Sequence, residues 1–167
     1  LAAAGQPRGQ VYSNNPDAIV RPSQSTERPE QLLSSACRRI QEFPYAAATF
    51  EHCAPLQRLQ RHVDDHPADP LDSAQAAAIA GYERTHFSKY FKETTGVTFK
   101  DWNSHRRMRL ALQVLSNRDE SITAVAEKAG FPDLRAFELH CLRWTGIQPK
   151  TLRTLFRTTK GSKKPTN

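Results

Sequence analysis

Nowhere in the sequence do 18 apolar residues run together, so no segment is expected to cross a bilayer as a helix. Cysteine is scarce. Cys37, Cys53 and Cys141 are odd in number, widely scattered and without a CxxC pair. That pattern speaks against a disulfide framework or a thiolate zinc site and fits a reducing cytosol, with buried or inert thiols. All seven glycines stand alone, so neither phosphate-loop motif is present. Strand signals are nearly absent. The apolar share, 38%, is toward the low end for a globular chain and fits a folded domain of modest core with some poorly structured flank. The opening "LAAAG" lacks the basic start and long apolar core of a signal peptide. It also lacks Met, so a trimmed product or the end of something longer is expected.

What the chain does have is positive charge, unevenly placed. Its net charge is +7, yet residues 1–70 carry 7 Lys/Arg against 8 Asp/Glu. Residues 71–160 carry 15 against 9, and Lys163 and Lys164 follow in the tail. The basic surplus therefore lies wholly in the second half, which points to nucleic acid or another anionic surface as the partner. A basic protein with no polyanion partner is the plainer alternative.

Residues 1–30 are rich in Pro, Gln, Ser and Asn and read as linker or the remnant of another domain. "EQLLSSACRRIQE" (30–42) places Leu32, Leu33, Ala36 and Ile40 on one helical face. "FPYAAATFEHC" is ambiguous. Leu56, Leu59 and Val63 form a helical stripe that Pro67 and Pro70 end. Asp72 with Gln75 has the form of a capping box, and the helix it opens should stop at Gly81. Helices follow from Thr85 to Thr95 and from Phe99 to Leu115, the latter turning Trp102, Met108, Ala111, Leu112 and Leu115 toward the core. The predicted class is all-α.

Two segments repeat each other. "AAAIAGYERTHFSKYFKETTG" (76–96) and "VAEKAGFPDLRAFELHCLRWTG" (125–146) share Ala-Gly-aromatic, then Phe, then a Thr-Gly stop. Each opens with a short helix capped nine residues before its glycine, by Asp72 and Ser121. Short helix, tight glycine turn and second helix describe a helix-turn-helix. In the first copy Phe87, Tyr90, Phe91 and Thr94 make the buried stripe. Thr85, Ser88, Lys89 and Lys92 occupy the opposite one, a face of hydrogen-bond donors and cations that fits a major groove. An ordinary amphipathic helix with a solvated basic face is the bland alternative.

Over about Leu56 to Arg157 the sequence resembles the DNA-binding domain of the AraC/XylS family of bacterial transcription regulators. The carriers are "LDSAQAAAIAGYERTHFSKYFKETTGVTF", "RMRLALQVL" and "ITAVAEKAGFPDLRAFELHCLRWTGIQPKTLR", with Gly146, Pro149 and Arg153 matching the closing pattern. The resemblance implies two helix-turn-helix units, about 72–95 and 121–145, joined by a linking helix at about 99–115. These lie in a domain of residues 55–157, with 1–54 ahead as linker or regulatory remnant with one helix and 158–167 behind as a basic tail. Each unit would put a recognition helix into the major groove of double-stranded DNA. A linking helix of about 17 residues is roughly 25 Å long, which suits units spaced near one DNA turn. Carried over by position, Thr85, Ser88 and Lys89 face bases while Arg84 and Lys92 meet phosphate; Arg135, Glu138 and Leu139 are the base-facing positions of the second unit. RNA polymerase would be a further partner, the role an activator's, and the compartment the cytoplasm.

The second unit departs from the family pattern. Cys141 stands where an aromatic is usual, Leu142 where a basic residue is usual, and Leu139 at a position often polar or basic. Such an outer face fits a thymine methyl or a protein surface, so the first unit is expected to dominate specificity. A protein-interaction module with decayed DNA contacts is the non-enzymatic alternative, motivated by Leu134, Leu139 and Leu142. Alkylated-DNA repair proteins can carry a similar helix-turn-helix, but Cys37 and Cys53 lack an acceptor motif, and no enzyme activity is expected. His62 and His66 are spaced i, i+4, yet "HVDDH" is not HExxH and offers only two ligands. A solvated helix face is therefore expected, with no metal or cofactor. His86 and His140 read as packed histidines. Residues 17–40, "DAIVRPSQSTERPEQLLSSACRRI", look faintly similar to the last strand and helix of a response-regulator receiver.

Overall fold

The computed structural model describes residues 28–117 and 120–161, and every regular element among them is a helix. In chain order these are α1 (Pro29–Gln41), α2 (Thr49–His52), α3 (Ala54–Asp65), α4 (Ser73–Ala80), α5 (Arg84–Thr95), α6 (Phe99–Leu115), α7 (Ile122–Lys128), α8 (Leu134–Thr145) and α9 (Pro149–Gly161). The apolar "DAIV" stretch and the last six residues lie outside the described residues. No helix among the described residues is long and apolar enough to cross a membrane.

Two hydrophobic cores share one helix. Phe99 and Trp102, in the first turns of α6, join Phe50, Leu56, Leu59, Val63, Phe87 and Phe91 in the first core. Met108, Ala111 and Leu115, further along α6, join Val125, Phe137 and Leu152 in the second. The linking helix is thus amphipathic toward two cores in succession, and its 17 residues fix their separation.

The repeat is visible in the backbone. At the end of α4 the Gly81 N–H donates to Ala78 and Tyr82 N–H to Ala77, at 3.1 and 2.8 Å. After α7 the Gly130 N–H donates to Glu127 and Phe131 N–H to Ala126, at 2.9 and 3.0 Å. Both glycines are left-handed, with φ of 79° and 76°, so each turn satisfies the orphaned carbonyls of its helix in the same way. The caps agree: Asp72 Oδ1 accepts from Ala74 and Gln75 N–H, while Gln75 Oε1 accepts from Asp72 N–H. Ser121 Oγ accepts from Ala124 N–H.

The Thr-Gly stop has its own chemistry. The buried Thr95 hydroxyl donates to Phe91 O at 2.8 Å, and Val97 N–H reaches it at 3.4 Å. Thr145 does the same with Cys141 O at 2.7 Å and Ile147 N–H at 3.1 Å. A buried hydroxyl with both donor and acceptor capacity used ties the last turn of α5, and likewise that of α8, to the chain leaving it.

Among the described residues ahead of position 55, Ala36, Ile40 and Phe50 belong to the two cores. In α1, Ala36 and Ile40 are 1% and 2% exposed in the second core, and Phe50 fills the first. Arg39 Nη1 donates to Thr145 O at 3.2 Å, placing a cation at the C-terminus of α8, where the helix dipole favours one. The carbonyl of Ile40 accepts from buried His105 Nε2, and Phe43 stacks on the His105 ring at 4.3 Å and meets Trp144 edge-on at 5.1 Å. Burial pushes the His105 pKa down, which keeps the ring neutral and able to donate. The Leu152–Leu155–Phe156 stripe makes α9 a helix that runs beyond residue 157, into the segment read from sequence as a tail.

Candidate nucleic-acid interface

The first unit holds α5 by its buried stripe. Phe87 and Phe91 are fully buried and Tyr90 half-buried, stacked on Tyr82 at 4.6 Å. Arg58 fixes the preceding helix by donating from Nε and Nη2 to the Ile79 and Ala80 carbonyls at the end of α4. With one face so anchored, Arg84, Thr85, Ser88, Lys89 and Lys92 are all exposed. Glu83 caps the helix, its Oε2 accepting from both the N–H and the hydroxyl of Thr85. Those hydrogen bonds hold the Glu83 carboxyl below the usual carboxylate range. The Thr85 hydroxyl proton is thereby committed to Glu83, which leaves its oxygen able to accept. Ser88 Oγ donates to Arg84 O at 3.2 Å. Lys89 Nζ lies 3.9 Å from Glu93 with both side chains more than 65% exposed, so the pair is weak and the lysine free to leave it.

His86 differs from expectation. Its side chain is 83% exposed, 4.0 Å from Glu83, not packed. It precedes Phe87 by one residue, a 100° step off the buried stripe, and in the first turn no neighbouring helix covers it. His140 is half-buried as expected, its ring 5.6 Å from Phe131. Its Nδ1 has no hydrogen-bond partner among the described residues, and burial first, then the nearby Arg143, Arg107 and Lys100 charges, push its pKa down.

The second unit presents less polar chemistry. Phe137 and Cys141 face the core of α8, and the Cys141 thiol donates to Ile147 O at 3.3 Å. Burial drives that thiol's pKa up to about 12, and burial likewise raises Cys37. Both are poor nucleophiles. Outward, Arg135 is exposed, Glu138 half-buried and Leu142 half-buried. Leu139 is 61% and Leu134 36% exposed, large apolar side chains left in the open. Arg143, another cation of this helix, is drawn to Asp101 on α6 at 3.3 Å. The structure thus puts all eight sequence-predicted positions on two corresponding helices, seven exposed and Glu138 partly so.

A family model for the helix-turn-helix domain matches residues 76–155. The HTH-type transcriptional regulator YobQ of Bacillus subtilis is 29% identical over 122 residues, covering 73% of this chain and 46% of that protein. The regulatory protein PocR of Salmonella typhimurium is 30% identical over 86 residues, 52% of this chain and 28% of its own. The chain therefore spans less than half the length of these curated relatives. Among solved structures, the DNA-binding domain of the global transcriptional factor AdpA, in complex with a target DNA, superposes with a TM-score of 0.60. It is 27% identical, and the match covers 64% of this chain and 96% of that domain. With the paired helix-turn-helix units, the linking helix and the matched sequence in agreement, residues 76–155 form a helix-turn-helix domain similar to those of AraC/XylS-type transcription regulators.

Proposed function

We propose that this chain recognises a specific double-stranded DNA sequence by laying α5 and α8 into two adjacent segments of the major groove. The observation that carries the reading is α5 itself, whose buried Phe87 and Phe91 pin one face while Thr85, Ser88 and Lys89 stand exposed on the other. These three contact base edges, and Arg84 and Lys92 grip phosphate. Arg135, Glu138 and Leu139 take the corresponding places in the second unit. The regulator acts in the cytoplasm as an activator in contact with RNA polymerase. Selecting bound sites from a random duplex pool tests the reading, and recovery of no consensus would end it.

Salt gives a second measure. Each neutralised phosphate releases counterions, so three to five such contacts should weaken binding about 40- to 500-fold between 50 and 200 mM salt. Fluorescence anisotropy with a labelled duplex reads this directly, and a flat response would contradict it.

The two lysines of α5 separate by role. Lys89→Ala is expected to cost about 1–3 kcal/mol and to relax preference at one or two base pairs. Lys92→Ala should weaken all sequences about equally and flatten the salt slope. Identical specificity profiles for both variants and the wild type would show the assignment to be wrong.

A protein-interaction module is the second reading, favoured by the open Leu134 and Leu139 of α8. It predicts no gel shift with random duplex at low salt, where the DNA-binding reading predicts one.

A further inference from the structure

We infer that His62, His66 and Asp69 form a surface site for a borderline divalent cation of the zinc class. From sequence the two histidines lack a third ligand. The structure supplies it: the chain leaves α3 at His66, turns through Pro67 and Ala68, and Asp69 N–H closes the turn on His66 O at 3.2 Å. One ligand atom from each of the three side chains then lies within 4.8 Å of the other two. Bonds of about 2.0–2.2 Å to nitrogen and carboxylate oxygen require these atoms to draw in by little more than 1 Å. Side-chain rotation provides that, since His66 and Asp69 are exposed and His62 half-buried.

Four further features favour a cation here. The two imidazoles already stack, with centroids 4.8 Å apart and planes 28° from parallel. His66 Nδ1 lies 3.1 Å from the His62 carbonyl. With its proton donated there, Nε2 is left as the bare ligand, since a carbonyl that accepts from one ring nitrogen orients the other toward a metal. The site also sits at the C-terminal end of the 12-residue α3, where the helix dipole attracts positive charge. Finally, residues 62–72 carry four aspartates and no Lys or Arg in a chain of net charge +7. Two imidazoles and one carboxylate suit Zn²⁺ and exclude selection of Mg²⁺ or Ca²⁺, which prefer all-oxygen sites. The open positions would be filled by water.

An ion here would fasten the 66–70 turn to α3. That turn abuts both the linking helix and the second unit, because Pro67 O accepts from Arg106 Nη1 of α6 at 2.9 Å and Ala68 O lies against Gly130. The site is thus a clip on the segment where the two units meet.

Isothermal titration of untagged full chain with Zn²⁺, in excess Mg²⁺, tests the site. One equivalent should bind, and its loss is expected in the His62→Ala/His66→Ala variant. Asp69→Asn should weaken it by about tenfold or more. Alkylating the cysteines should leave it unchanged. At a hundredfold excess over Kd, Zn²⁺ should raise the Tm by about 5–10 °C in the wild type and not in the double variant. The double variant's metal-free Tm should match that of the wild type, which separates ligand loss from misfolding. Zn²⁺ binding that survives in the double variant, binding abolished by alkylation, displacement by Mg²⁺, or no binding at about 0.1 mM Zn²⁺ would each overturn the assignment.

Discussion

Gly130→Ala is expected to destabilise the chain by about 3 kcal/mol, well beyond the same change at Gly81 or Gly96. All three are left-handed, with φ of 76°, 79° and 82°, so each substitution carries the steric cost of a Cβ in that region, about 1–2 kcal/mol. What differs is the space. At Gly96 a Cβ meets nothing within 4 Å among the described residues. At Gly81 it would lie 3.0 Å from Arg58 Nη2, the far end of a flexible side chain, though one that caps α4. At Gly130 it would lie 2.6 Å from the Ala68 carbonyl oxygen and 3.1 Å from the carbonyl carbon. Backbone must then move, and this backbone is tethered on both sides: Arg106 holds Pro67 O, and Asn103 Nδ2 donates to Leu71 O at 2.8 Å. Urea denaturation of the three alanine variants should rank Gly130 last in stability, with Gly81 and Gly96 near one another. Equal losses at all three would mean the turn is free to shift and the two units are not wedged together there.

That ranking could not be read from sequence, although the turns themselves could. Asp72, Gln75 and Gly81 carry their meaning locally, since a capping box and a left-handed stop depend on residues within one or two turns. The repeat exposed the two units for the same reason. The wedge at Gly130 depends on Ala68, sixty-two positions earlier in the chain, and no periodicity encodes it.

The same distinction explains α1. Its stripe of Leu32, Leu33, Ala36 and Ile40 announced an amphipathic helix, yet an apolar face says nothing about what will cover it. The partner is α8 and α9, with Arg39 bonded to the Thr145 carbonyl of α8 and the Ile40 carbonyl bonded to His105 of α6. His86 failed for a geometric reason: one residue away from a buried position along the chain is a quarter-turn away in space. Thr95 and Thr145 were legible only as part of a stop signal, because their role is to satisfy carbonyls in a buried last turn. The stripe rule was sufficient to place Thr85, Ser88 and Lys89 on the exposed side of α5, since Phe87 and Phe91 fix which side is out.

The exposed side of α8 sets up the largest expected effect on DNA. On a selected operator, scrambling the bases under α5 should bring binding to the non-specific level, a loss of about 4 kcal/mol or more, whereas scrambling those under α8 should cost only about 1–2 kcal/mol. Thr85, Ser88 and Lys89 can all hydrogen-bond base edges, and Lys89 is tied only to an exposed Glu93. On α8, Leu134 and Leu139 can offer only apolar contact, Glu138 repels phosphate, and Arg143 is partly neutralised by Asp101. Arg135 is then the remaining exposed cation in the outward set of Arg135, Glu138 and Leu139, and one cation mostly positions rather than specifies. Leu139→Arg should tighten binding, because a 61% exposed site accepts the longer side chain without repacking and gains a charge near the groove. The measurement is competition anisotropy with four duplexes: intact, either segment scrambled, and both. If scrambling the α8 segment costs as much as scrambling the α5 segment, α8 reads sequence after all. Leu139 would then be reading thymine methyl groups, and Leu139→Arg should weaken binding at those base pairs instead.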